Sequence, residues 1–207
     1  MNVEVHNILG FRHIPKECIN YISKYMTTQY KADVRRATEE AMVFLNKNIQ
    51  HSSDNLDAWI FDVDDTLLST VPYYENNNAC GEEMPVLLET WMKEAKAPAV
   101  EYMVELFHKI KGRGFKILLI SSRKEHLTGV TIDNLMKAGY YGWDQLKLRC
   151  PADDNYSIKE YKAKQRKKFK EEGYRLCGNI GDQWSSLNGD HYAIRSFKLP
   201  NPMYYEA

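Results

Sequence analysis

Residues 58–70, AWIFDVDDTLLST, constrain this chain more than any other stretch. The apolar run from Ala58 to Phe61 reads as a buried strand, and it leads directly into Asp62 and Asp64, with Thr66 just beyond. A charge buried without a partner is expensive. Carboxylates at the end of a core strand therefore imply either a use or a turn. In an open α/β sheet, ligands bind at the carboxyl ends of the strands. Alternation along a strand puts Asp62 and Asp64 on one side, and a turn just past the strand converges them too. The plainer alternative is an Asp-rich turn whose carboxylates bond nearby backbone.

The length, 207 residues, suits one domain with a full core. Basic and acidic residues balance at 28 each, which removes the long-range attraction that nucleic acid or a membrane surface calls for. We therefore expect neither as a partner, and no apolar run is long enough to span a bilayer. The opening MNVEVHNILGF lacks the charged start and long apolar core of a signal peptide, so the expected compartment is the cytosol if the chain is complete. Cys18, Cys80, Cys150 and Cys177 are scattered without a CxxC pair, which argues against zinc. Cys177 lies in an apolar run and reads as a buried thiol; Cys18 is available for a disulfide whose partner is open.

Helical periodicity appears over 15–26 and 31–50, ahead of a polar linker at 51–55. The first strand is expected over 57–63, and an irregular connection over VPYYENNNACGEEMP. Two helices follow, 86–96 and 99–112, then a buried strand at 115–120 that ends in Ser121, Ser122 and Arg123. A helix over 125–138, a short strand at 146–148, a basic helix over 160–172, a strand at 174–180 and a last strand within 192–199 complete the order. The basic helix EYKAKQRKKFKEE reads as a solvated face on a neutral protein rather than a nucleic-acid surface. Helices between apolar strands predict an α/β fold with a parallel, Rossmann-like sheet and right-handed crossovers.

Such a sheet gathers Asp62, Asp64, Ser121, a lysine within 162–164 and Asp182 along one edge. That set has a chemical logic. Carboxylates supply hard oxygens for Mg²⁺. A hydroxyl and an ammonium suit phosphate oxygens. One carboxylate can attack phosphorus while another moves protons.

The ordered motifs FDVDDTLLS, ILLIS, YKAKQR and GNIGDQW resemble those of the haloacid dehalogenase superfamily of aspartate-nucleophile phosphatases. More narrowly, DDTLLSTVPYYE, GNIGDQWSSL, FKLPNPMYY and HNILGFRHIPKEC resemble the plant acid phosphatases and vegetative storage proteins. The resemblance implies one haloacid dehalogenase-like domain over 1–207, with helices on both faces of the sheet. An N-terminal helical segment, 1–55, and an insert, 70–113, would pack on or cap the site. It implies a Mg²⁺-dependent acid phosphatase acting on small phosphomonoesters, or a storage protein with residual activity. Some storage members lack the nucleophile that this chain retains as Asp62.

By the same resemblance, Asp62 is the nucleophile and a metal ligand. Asp64 is the general acid/base and offers its backbone carbonyl to the metal, and Thr66 positions the loop. Ser121 binds the phosphoryl group, Lys162 neutralises charge with Lys164 as the alternative, and Asp182 completes the metal set. A homodimer and a vacuolar or secreted location follow from the resemblance alone. One departure stands out: the family's usual GDQWSDL carries an Asp where this chain has Ser186, which predicts weaker Mg²⁺ binding. Asp65 and Ser122 are assigned structural roles, Arg123 fits either kind, and Trp184, Tyr73 and Tyr74 read as packing residues.

Overall fold

A computed structural model describes residues 19–47, 52–76 and 85–206. The expected helix start at Pro15, the linker residue His51, Cys18, Cys80 and the stretch 77–84 lie outside them. Five strands form one parallel sheet: β1 (Asp57–Phe61), β2 (Lys116–Lys124), β3 (Gln145–Arg149), β4 (Arg175–Gly181) and β5 (Arg195–Lys198). Their spatial order is β3-β2-β1-β4-β5. The chain winds outward from β1 to β3, then returns to the other side of β1 with β4 and β5. The order reverses between β1 and β4, where doubly wound sheets form their ligand crevice.

The pleat explains the two layers. Trp59 and Phe61 face one way with Ile117, Leu119, Cys177 and Phe197, while Ala58 and Ile60 face the other with Leu118, Ile120 and Leu176. The first face is covered by α2 (Tyr30–Lys47) and α5 (Met103–Gly112) through Phe44, Leu45, Leu106 and Phe107. Tyr161 and Phe169 of α7 (Ile158–Glu171) cover the second. Every residue of β1 is buried, as a central parallel strand requires. Gly178 stands beside Trp59, and a Cβ there would sit 2.3 Å from the indole. The bare backbone is what lets the largest core side chain lie flat between strands.

The N-terminal α1 (Ile19–Thr28) and α2 share the main core through Ile22, Val34 and Phe44. In the insert, α3 (Val71–Asn76) and α4 (Pro85–Lys93) place Tyr73, Tyr74, Trp91 and Met92 in that same core. Two short helices depart from the sequence reading: α3, where an irregular connection was expected, and α8 (Trp184–Leu187), a single turn after β4. A six-residue helix rich in aromatic residues has too little periodicity to announce itself. The helix expected over 125–138 is a 3-10 turn, Glu125–Leu127, followed by α6 (Thr128–Lys137). β2 runs four residues past its apolar core, to Lys124, so Ser121, Ser122 and Arg123 are strand residues. Among the described residues no helix is long and apolar enough to cross a membrane.

Candidate active site

Parallel register fixes the site. Phe61 pairs with Leu119 on one side and Ile180 on the other, so Asp62, Ser121 and Asp182 emerge at one edge. The Asp62 amide donates to the Ile180 carbonyl at 3.0 Å, which carries the pairing one residue beyond the strand. Asp62, Ser121, Lys162 and Asp182 are all buried.

Lys162 reaches this edge from the second turn of α7. Ser157 caps that helix, accepting from the Glu160 amide at 3.2 Å while Glu160 accepts from the Ser157 amide at 2.8 Å. The cap fixes the helix start, and helical spacing then turns Tyr161, Lys162, Gln165 and Arg166 inward. Lys162 Nζ donates to Asp62 Oδ2 at 2.5 Å and to Ser186 Oγ at 2.8 Å. Ser186 Oγ in turn donates to Asp62 Oδ2 at 2.6 Å. The other carboxylate oxygen, Oδ1, accepts from the Val63 amide at 2.8 Å. Lys164, the alternative lysine, points elsewhere: it pairs with Asp153 at 2.9 Å and lies over the Tyr156 ring.

Asp64 stands apart from this cluster. Arg123 clamps it, with Nε 2.9 Å from Oδ2 and Nη2 2.7 Å from Oδ1. The guanidinium also donates to Thr131 Oγ1, and the Arg123 amide donates to Ser121 Oγ at 3.1 Å. Burial pulls the Arg123 pKa down, but the Asp64 carboxylate outweighs it and the net direction is upward. Arg123, which fitted either role by sequence, is thus the partner of Asp64 and braces Ser121.

Asp182 accepts from Thr66 Oγ1 at 3.1 Å, Gln183 Nε2 at 2.9 Å and Asn201 Nδ2 at 2.7 Å. Burial, and then the nearby Asp62 carboxylate, push its pKa up. Asp65, in the left-handed region at φ 50°, caps the Thr70 amide at 2.8 Å and accepts from Tyr204 Oη at 2.8 Å. Burial, with the Asp182 charge added, raises the Asp65 pKa to about 7.

The donor chemistry fits a hard divalent cation. Asp62 and Asp182 are neighbouring buried carboxylates, and Asp182 is held by neutral amides and a hydroxyl. No cluster of three His, Cys, Asp or Glu side chains occurs among the described residues, and only two carboxylates plus a backbone carbonyl are asked for here.

Ser186, the departure noted in the sequence, contacts the Asp62 oxygen. Its placement depends on Gly181, where a Cβ would sit 2.8 Å from the Ser186 Cβ, and on Arg166. That arginine lies inside the helix read as a solvated face. It donates to the Ser186 carbonyl at 3.0 Å and the Asn188 carbonyl at 2.6 Å. Trp184, read as packing, is instead partly exposed, with Lys198 over its ring. Tyr73 and Tyr74 are buried as an edge-to-face pair, and Cys177 is buried with a thiol pKa raised by that burial to about 11.

The family model for the HAD (haloacid dehalogenase) superfamily, subfamily IIIB (acid phosphatase), matches residues 1–207. Acid phosphatase 1 of Solanum lycopersicum is 40% identical over 205 residues, covering 98% of this chain and 80% of that protein. Vegetative storage protein 2 of Arabidopsis thaliana is 37% identical over 209 residues, covering 99% of this chain and 78% of that protein. The solved class C acid phosphatase from Bacillus anthracis shares the fold, with a TM-score of 0.75 at 21% identity over 92% of this chain and 86% of that one.

Proposed function

Because this chain belongs to the HAD superfamily, subfamily IIIB (acid phosphatase), we propose that it hydrolyses small phosphomonoesters with Mg²⁺ through an aspartyl-phosphate on Asp62. The observation that carries this reading is the buried triangle of Asp62, Lys162 and Ser186 at the sheet's switch point.

The Asp62 carboxylate attacks phosphorus, and the bond to the leaving alkoxide breaks as the new P–O bond forms. Lys162 holds the attacking group and offsets the charge that the phosphate dianion brings. Ser121 receives the Arg123 amide on its oxygen, which leaves its own hydrogen to donate to a phosphoryl oxygen. Asp64, oriented by Arg123, which Thr131 holds in turn, enters the cycle protonated and gives that proton to the departing alkoxide. It then takes one from the water that cleaves the aspartyl-phosphate. Asp62, the Asp64 carbonyl and Asp182 would hold Mg²⁺, which supplies charge compensation for the phosphoryl oxygens.

The test is hydrolysis of p-nitrophenyl phosphate with and without Mg²⁺, repeated with Asp62→Asn. The proposal expects turnover that needs the cation and is lost in the variant. Turnover indifferent to Asp62→Asn refutes it. A second reading, a storage protein with residual catalysis, draws on the 37% identity to a vegetative storage protein and on Ser186 in place of the family carboxylate. It predicts turnover near background in the wild-type protein. A homodimer and a vacuolar or extracellular location belong to the same proposal and rest on family resemblance.

A further inference from the structure

We propose that the segment following β5 is part of the metal centre's support, with Asn201 the positioning residue for Asp182. The inference rests on the metal reading above and extends it to residues outside the catalytic motifs. β5 lies beside β4, so the chain leaving β5 at Lys198 passes the same edge that carries Asp182. Asn201 is buried there and is held at both ends of its amide. Its Nδ2 donates to Asp182 Oδ2 at 2.7 Å, while its Oδ1 accepts from the Met203 amide at 2.8 Å and the Tyr204 amide at 3.3 Å. The turn around Asn201 thus sets the direction of its one donor contact with the carboxylate.

Gln183 works in parallel. Its Nε2 donates to the same Asp182 oxygen at 2.9 Å and to the Tyr204 carbonyl at 3.2 Å, and its Oε1 accepts from the Glu206 amide at 2.9 Å. Tyr204 then closes the strap: its hydroxyl donates to Asp65 Oδ2 at 2.8 Å and its ring stacks on Tyr74 at 5.7 Å. Asp182 Oδ2 is therefore occupied by two amides. Oδ1, which among the described residues accepts only the longer bond from Thr66, is the oxygen that would be left for a cation.

The chemistry of the two holders matters. Asp64 is clamped by a guanidinium, whose positive charge offsets its own. Asp182 is clamped by neutral amides, which fix its rotamer without spending the negative charge that a cation needs. Outer partners of this kind typically govern metal affinity by about 10- to 100-fold.

The experiment uses the full chain, stripped of metal, and titrates Mg²⁺ by calorimetry into wild type, Asn201→Ala and Gln183→Ala. The expected result is a dissociation constant raised about tenfold or more in Asn201→Ala and in the same direction in Gln183→Ala. At saturating Mg²⁺, kcat and substrate KM of Asn201→Ala return to within about twofold of wild type, which a general loss of structure does not permit. If Asn201→Ala is poorly folded, Gln183→Ala alone decides the matter. Mg²⁺ affinities unchanged within about twofold in the folded variants overturn the proposal while leaving the metal reading intact. A wild-type protein that takes up no Mg²⁺ overturns the metal reading and this inference with it.

Discussion

Replacing Lys162 by Met removes the ammonium and keeps the aliphatic stem, so the loss falls on charge rather than on packing. Lys162 and Asp62 side chains are 3% and 7% exposed, and their contact is 2.5 Å. Taking one partner from a buried ion pair costs about 3–5 kcal/mol, because the remaining charge stays desolvated. Asp62 keeps the Val63 amide and the Ser186 hydroxyl, which places the cost near the lower end, about 3 kcal/mol. For a chain of this size that lowers the melting temperature by about 6–12 °C. The melt belongs in metal-free buffer, since a cation beside Asp62 offsets the same charge. Turnover falls more steeply, by about 10²–10³-fold, the scale of one preorganised electrostatic contact to the reacting group. The decisive measurement is the double-mutant cycle with Asp62→Asn. Each single change strands one charge and the double change strands none, so the double variant should be more stable than the sum of the singles by about 1–3 kcal/mol. Strictly additive melting shifts, or a Lys162→Met protein within threefold of wild-type turnover, refute the pairing and its role together.

Arg123→Leu should lower kcat by about 10²-fold, because the acid/base loses the clamp that orients it; an unchanged kcat counts against that role. Lys164→Ala should leave kcat and KM within about twofold in steady-state assays, since its ammonium serves Asp153. Ser186→Asp should lower the Mg²⁺ concentration needed for half-maximal turnover by restoring a carboxylate beside Asp62, and an unchanged value refutes that account. Asp65 binds its proton up to about pH 7 in the folded protein against an ordinary 3.8. The folded state therefore holds a proton that the unfolded state has lost between those values. Metal-free stability falls as pH rises through that window, and Asp65→Asn makes urea midpoints measured across it less steep.

The strand that ends in Asp62 was legible because burial and charge conflict there in plain sight, and the same conflict marked Asp182. Parallel topology followed from helices placed between apolar runs, and it sufficed to bring Ser121 to the same edge. The choice between Lys162 and Lys164 was not legible. Two residues apart on a helix, they differ by roughly half a turn in direction, and only the start set by the Ser157 cap decides which one faces the sheet. Arg166 was hidden for a related reason. In EYKAKQRKKFKEE each basic residue looks alike, yet Arg166 is fully buried because three backbone carbonyls near α8 await its donors. Asn201 offered no signal, since a polar residue between two prolines reads as loop until the neighbour it meets is known.

The balance of buried charge ties these parts together. Arg123 answers Asp64, and Lys162 answers Asp62, each by direct contact. Asp182 and Asp65 are met within hydrogen-bond reach by amides and hydroxyls, and both have raised pKa values in which burial and a neighbouring carboxylate act together. The four carboxylates Asp62, Asp64, Asp65 and Asp182 outnumber Arg123, Lys162 and Lys198, the last of which acts on Asp182. The centre can relieve the excess by taking up a proton or by binding a cation. Protonation silences the carboxylates, whereas a divalent ion would offset them without a proton at the proposed nucleophile. The same excess repels an incoming phosphate dianion until it is compensated. On this account charge compensation at Asp182 and nucleophilic attack at Asp62 are one electrostatic requirement, met along a single sheet edge.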